Sequence, residues 1–153
     1  MPDLPHANRL RAGRYSQSGR IYLLTAVTRN REQLFTHWLT GRLLVRQFQQ
    51  AHTDDLAESL AWVVMPDHFH WLVELKNSTL PALMLATKSR SARAINAHLG
   101  RTGGVWQKGF HDRAIRYEED LIEAARYVVA NPIRAGLVRR VHDYPLWDAK
   151  WLQ

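Results

Sequence analysis

The chain has 153 residues, 46% of them apolar and 23% charged, the balance of one globular domain with its own core. It contains no cysteine, which excludes disulfides, thiolate zinc sites and a cysteine nucleophile, and no apolar run approaches the ~18 residues of a membrane helix. Twenty-one Lys and Arg against fourteen Asp and Glu give a net charge of +7, which suits either a polyanionic partner such as nucleic acid or a merely solvated basic surface.

Residues 1–19, rich in Pro, Arg, Gly and Ser, read as a basic irregular arm, and residues 20–153 as one domain. The arm lacks a signal-like apolar segment, so a cytoplasmic location is expected. IYLLTAVT (21–28) has the β-branched and aromatic content of a strand. FTHWLTGRLLVRQFQQAH (35–52) reads as a helix with Thr36 as N-cap and Leu39, Leu43, Val45 and Phe48 as its apolar stripe. Leu60–Met65 and His68–Leu75 read as two strands of a hairpin broken by Pro66-Asp67. Asn77-Ser78-Thr79 can cap a helix from about Leu80 to Leu99, stopped by Gly100. Residues 105–117 suggest a short strand bent at Gly109, and 118–138 a helix with an acidic start that Pro132 kinks or divides. The aromatic tail 142–151 reads as a loop. The order β-α-β-β-α-β-α predicts an α+β fold: a ferredoxin-like antiparallel sheet with helices on one face and an additional C-terminal helix.

Along HFHWLVEL, Phe69, Trp71, Val73 and Leu75 share one face and suit a core, while His68, His70, Leu72 and Glu74 share the other. Two imidazoles on one face of a strand can clamp a divalent metal, or be ordinary hydrogen-bonded histidines. Glu74 could orient an imidazole or be an exposed strand residue. On the last helix Tyr127 lies opposite a stripe of Ile122, Ala125 and Val129, with Asn131 one turn on. Helix geometry alone favours Tyr127 as a surface or core-edge residue, because a phenol with a pKa of about 10 is a poor nucleophile without a polarised phosphate.

The blocks MPDHFHWLVEL, GGVWQKGFHDRAI and RYVVANPIRAGLV, in that order and spacing, resemble the single-tyrosine HUH transposases, and among them the REP-associated tyrosine transposases. The opening strand followed by Thr28-Arg29-Asn30-Arg31 is similar as well, so the resemblance runs from about residue 20 to 147. It implies that His68 and His70 bind Mg²⁺ or Mn²⁺. It also implies that Tyr127 attacks a DNA phosphodiester, and that Asn131 stands where relatives carry a polar third metal ligand, often Gln. The implied reaction yields a 5′-phosphotyrosine and a free 3′-hydroxyl, and its reversal rejoins strands.

The implied partner is single-stranded DNA or a palindromic hairpin, giving a nucleoid-associated location. The arm (Arg11, Arg14), the helix 80–99 (Lys88, Arg90, Arg93) and the 111–113 segment (His111, Arg113) are the expected DNA contacts, each readable also as solvated or structural. A monomer using its own tyrosine is expected, with a tyrosine-exchanging homodimer as the other arrangement. A hairpin-binding protein without catalysis and a metal-dependent nuclease using water are the competing functions.

Overall fold

The computed structural model describes residues 19–150. Five strands form one antiparallel sheet: β1 (Ile21–Val27), β2 (Ala57–Met65), β3 (His68–Leu75), β4 (His111–Ile115) and β5 (Trp147–Ala149), in the order β4-β1-β3-β2-β5. Among the described residues there are three α-helices, α1 (Trp38–Thr53), α2 (Leu80–Leu99) and α3 (Glu118–Arg134). The first four strands and the first two helices make the expected ferredoxin-like unit. β5 is an addition: the aromatic tail is not only a loop, because Trp147–Ala149 pair with Val63–Ala61 at the free edge of β2.

The alternation along β3 decides the layers. Phe69, Trp71, Val73 and Leu75 are fully buried in a core with Tyr22, Leu24, Val64 and the inner faces of α1 and α2. Phe48 of α1 anchors this core, stacking on Trp71 with centroids 4.5 Å apart and meeting Phe69 edge-on at 5.2 Å. On the opposite face Leu72 joins Leu23, Val63 and Met65 under α3, which packs Ala124, Ala125, Val128 and Val129 against them. The face that carries the histidines is therefore a second, smaller core rather than an open polar surface.

Local chemistry explains the boundaries and several departures from expectation. Thr79 caps α2 through its hydroxyl, which accepts from the Ala82 N–H at 3.2 Å, and Gly100 ends it in the left-handed conformation at φ 66°. Thr36 does not cap α1: its hydroxyl donates to the Gln33 carbonyl at 3.0 Å, and the helix starts after His37. The buried stripe of α1 is Leu44, Val45 and Phe48, whereas Leu39 is exposed. Pro132 does not divide α3; it sits in the last turn of one helix that runs on to Arg134. Ile122 points outward, and the alanines of α3 take the inward positions. Among the described residues no helix is long and apolar enough to cross a membrane.

Candidate active site

β3 is the central strand, hydrogen-bonded on both sides, so its side chains stand on a rigid base. His68 lies opposite Val27 and Met65, and His70 opposite Thr25 and Val63. The two imidazole centroids are 5.0 Å apart, with ring planes at 81°. His68 follows the two-residue turn Pro66-Asp67, which is tied to the end of β1. The Asp67 carbonyl accepts from the Thr28 N–H at 2.9 Å and from the Thr28 hydroxyl at 3.1 Å.

Each histidine has its Nδ1 engaged. His68 Nδ1 is 2.6 Å from Asp67 Oδ1, and Asp67 Oδ2 accepts from Arg31 at 3.1 Å. Burial alone would raise the Asp67 carboxyl, but the hydrogen bonds from His68 and Arg31 outweigh it and hold it below its ordinary value. A carboxylate there accepts the Nδ1 proton of His68 and leaves the Nε2 lone pair available. His70 Nδ1 is 2.8 Å from Thr25 Oγ1. The His70 ring is buried, and burial, with help from the nearby His68 and Arg134 charges, pushes its pKa down to about 4. His70 is therefore a neutral imidazole at neutral pH, the form that can ligate a metal.

Sequence reasoning missed both orienting groups. Thr25 is 45 positions from His70 and becomes its neighbour only through the β1–β3 register. Glu74 does not orient either imidazole; it pairs with Lys76 at 3.1 Å.

α3 crosses this same face and brings Tyr127 to the pair. The phenol ring meets the His70 ring edge-on, with centroids 5.5 Å apart, within one chain. Tyr127 is 45% exposed, so a substrate can reach it. Asn131 is beside it, with its amide turned back on the helix: Nδ2 donates to the Tyr127 carbonyl at 3.0 Å and lies 3.5 Å from that of Val128. Among the described residues Oδ1 accepts no hydrogen bond, and it is the acceptor that could meet a ligand. Arg134, not singled out from the sequence, has its guanidinium carbon 4.2 Å from the Tyr127 ring centroid.

His68, His70 and Tyr127, from separate parts of the sequence, thus stand together on one face of the sheet. The family model described as "Transposase IS200 like" matches residues 16–131, about three-quarters of the chain. The chain belongs to the IS200-like transposase family.

Within this family the transposase is similar to a REP-associated tyrosine transposase of Escherichia coli, at 27% identity over 139 residues, covering 86% of this chain and 78% of the relative. A Haemophilus influenzae protein to which the same name is provisionally given is 28% identical over 142 residues, covering 83% and 78%. Its fold matches the structure of a REP-associated tyrosine transposase bound to a REP hairpin with a TM-score of 0.73, at 27% identity, over 87% of this chain and 78% of that one. A Deinococcus radiodurans protein shares the fold more distantly, with a TM-score of 0.55 at 23% identity over 77% of this chain and 92% of that one.

The expected DNA contacts fall into three groups. His111 and Arg113 of β4 lie opposite Thr25 and Leu23, hence on the histidine face and two strands from β3, about 10 Å between backbones. Both are exposed. On α2, Lys88 donates to the carbonyls of Gln107 and Gly109, each at 2.7 Å, and Arg90 pairs with Asp54 at 3.3 Å, while Arg93 is exposed. Arg11 and Arg14 lie outside the described residues.

Both Nε2 atoms of the histidine pair are free of hydrogen bonds among the described residues, both Nδ1 atoms are oriented, and His70 is neutral. Among the described residues no third His, Asp or Glu joins the pair. The pair thus fits an ion whose remaining ligands are oxygens: water, a substrate phosphate, or the Asn131 amide.

Proposed function

We propose that this transposase cuts and rejoins single-stranded DNA beside hairpin-forming palindromic elements, with Tyr127 as the nucleophile. The observation that carries this reading is the phenol of Tyr127 standing against His70, 5.5 Å between ring centroids, in the same chain as the His68–His70 pair. The relative's complex with a REP hairpin supports the choice of DNA.

His68 and His70 would hold a divalent ion, Mg²⁺ or Mn²⁺, with Asn131 Oδ1 as the third protein ligand. Such an ion supplies charge neutralisation at the scissile phosphate. The residues of the chain do the rest. Tyr127 Oη forms a bond to phosphorus as the P–O3′ bond breaks; the phenol loses its proton, and the departing 3′-oxygen gains one. The product is a 5′-phosphotyrosine and a 3′-hydroxyl. One phosphodiester replaces another, so a 3′-hydroxyl can reverse the step without ATP. Asp67 and Thr25 keep the imidazoles oriented, and the short route from Tyr127 to His70 lets one chain work as a monomer. His111 and Arg113, exposed on the same face, are placed to meet the DNA backbone.

The test is a 3′-labelled DNA hairpin with single-stranded flanks, incubated with the protein and Mn²⁺. A covalent protein–DNA adduct that disappears in Tyr127→Phe is the expected result. Binding without cleavage would make the protein a hairpin binder. Cleavage that persists in Tyr127→Phe would make water the nucleophile.

A further inference from the structure

Two side chains of the last helical turn converge on one backbone atom. Asn131 Nδ2 and an Arg134 Nη both donate to the Tyr127 carbonyl, at 3.0 and 2.9 Å. Asn131 has a local reason to fold back. Pro132 has no N–H, so the Val128 carbonyl lacks its partner four residues on, and the Asn131 amide lies 3.5 Å from it.

Arg134 has no such reason. An arginine at a helix end ordinarily serves the carbonyls left over in the last turn, but those of Asn131, Pro132 and Ile133 already accept from the N–H groups of Ala135, Leu137 and Gly136, each at 2.9 Å. Carbonyl 127 lies a turn deeper and meets N–H 131 in the helical ladder. Arg134 nonetheless reaches back seven residues to it, and this path lays its guanidinium over the phenol, 4.2 Å from the ring centroid.

The tyrosine needs such a neighbour. It is 45% exposed, and among the described residues its hydroxyl has no hydrogen bond. A half-exposed ring without a tether samples several rotamers on a nanosecond scale. Here it has two ring contacts, the edge-on His70 and the cation of Arg134. A guanidinium over an aromatic face is attractive, more so where water is partly excluded.

We propose that Arg134 is a positioning residue for Tyr127: anchored to the carbonyl of the tyrosine, it stacks on the phenol and holds it facing the histidine pair. The inference rests on Tyr127 being the nucleophile. Arg134 thereby acts on the rate of attack rather than on the affinity for DNA.

The test compares Arg134→Met and Arg134→Lys with Tyr127→Phe in the full chain. Methionine keeps the unbranched apolar stem and helix propensity of arginine without its charge or its fork of donors, so the helix survives. The rate of adduct formation at saturating labelled hairpin and Mn²⁺, and hairpin affinity without metal, are measured separately. A third readout needs neither metal nor DNA: the ¹⁹F spectrum of 3-fluorotyrosine placed at position 127.

In Arg134→Met the saturated rate is expected to fall at least about ten-fold with affinity unchanged. Arg134→Lys recovers part of it, and the ¹⁹F resonance moves toward that of a freely rotating ring. A saturated rate equal to wild type in Arg134→Met, or a loss that appears only as weaker binding, overturns the proposal. An adduct formed by Tyr127→Phe overturns the nucleophile assignment instead, a result that the arginine variants cannot mimic.

Discussion

Thr25 Oγ1 and His70 Nδ1 lie 2.8 Å apart across the β1–β3 pair, in a site where the imidazole is buried. The contact decides which ring nitrogen is available. A metal on Nε2 requires a proton on Nδ1, and the threonine hydroxyl is then its acceptor. Thr25→Val keeps the β-branched shape and removes that acceptor. Mn²⁺ affinity, measured by titration against a competing chelator, is expected to fall about 10–100-fold, as for other outer-shell partners of ligating histidines. Thr25→Ser restores it. A valine variant binding Mn²⁺ as wild type does would show that the hydroxyl does not orient the ligand.

Metal binding itself has a simple signature. An ion held by the folded chain alone raises the melting temperature as its concentration rises. Wild-type protein is expected to gain stability with Mn²⁺, and EDTA to reverse the gain. His70→Ala and His68→Ala should each abolish the shift. A shift that survives the loss of either histidine would place the ion elsewhere.

The fold was readable where one residue type repeats with one period. Phe69, Trp71, Val73 and Leu75 announce a strand with one apolar face, and the pair at 68 and 70 on the other face follows from the same alternation. What could not be read depends on partners distant in the chain. Asp67 and Thr25 look like an ordinary turn residue and strand threonine until the hairpin and the β1–β3 register bring them to Nδ1 atoms. On α3 the expected stripe of Ile122, Ala125 and Val129 is right at Ala125 and Val129, which are buried with Ala124 and Val128, whereas Ile122 faces outward. β5 has three residues, too few to show an alternation; it exists because the edge of β2 has hydrogen bonds to offer.

Charge misleads in a similar way on α2. Lys88 reads as a cation for DNA, yet its ammonium holds two carbonyls of the 107–109 loop. Arg113 stands exposed on the histidine face. The two should separate in a salt titration of hairpin binding. Arg113→Ala is expected to weaken binding and lower the log–log salt slope by about 0.7, the value for one phosphate contact on a single strand. Lys88→Met should leave the slope as it is and instead destabilise the fold by about 1–3 kcal/mol, for the lost charge-assisted bonds. The reverse pattern would return Lys88 to the DNA interface and remove Arg113 from it.

Tyr144 pins the added strand. Its hydroxyl donates to the Val64 carbonyl at 2.6 Å, and its ring packs against both apolar clusters, on either side of the sheet. Tyr144→Phe keeps the ring and loses one hydrogen bond, a cost of about 1 kcal/mol, or about 2–4 °C in melting temperature. Burial pushes the Tyr144 pKa up to about 12, whereas an unfolded tyrosine ionises near 10. Between those values the unfolded chain has released the proton that the folded chain keeps. The unfolded state then binds fewer protons, and stability falls as pH rises from about 10 to 12. Phenylalanine cannot ionise, so the advantage of wild type over Tyr144→Phe, full below pH ~10, should shrink through this window. Denaturant melts of both proteins at pH 8, 10 and 11, taken as about those values, measure it. An advantage that stays constant across them would mean that the Tyr144 hydroxyl is not buried in solution.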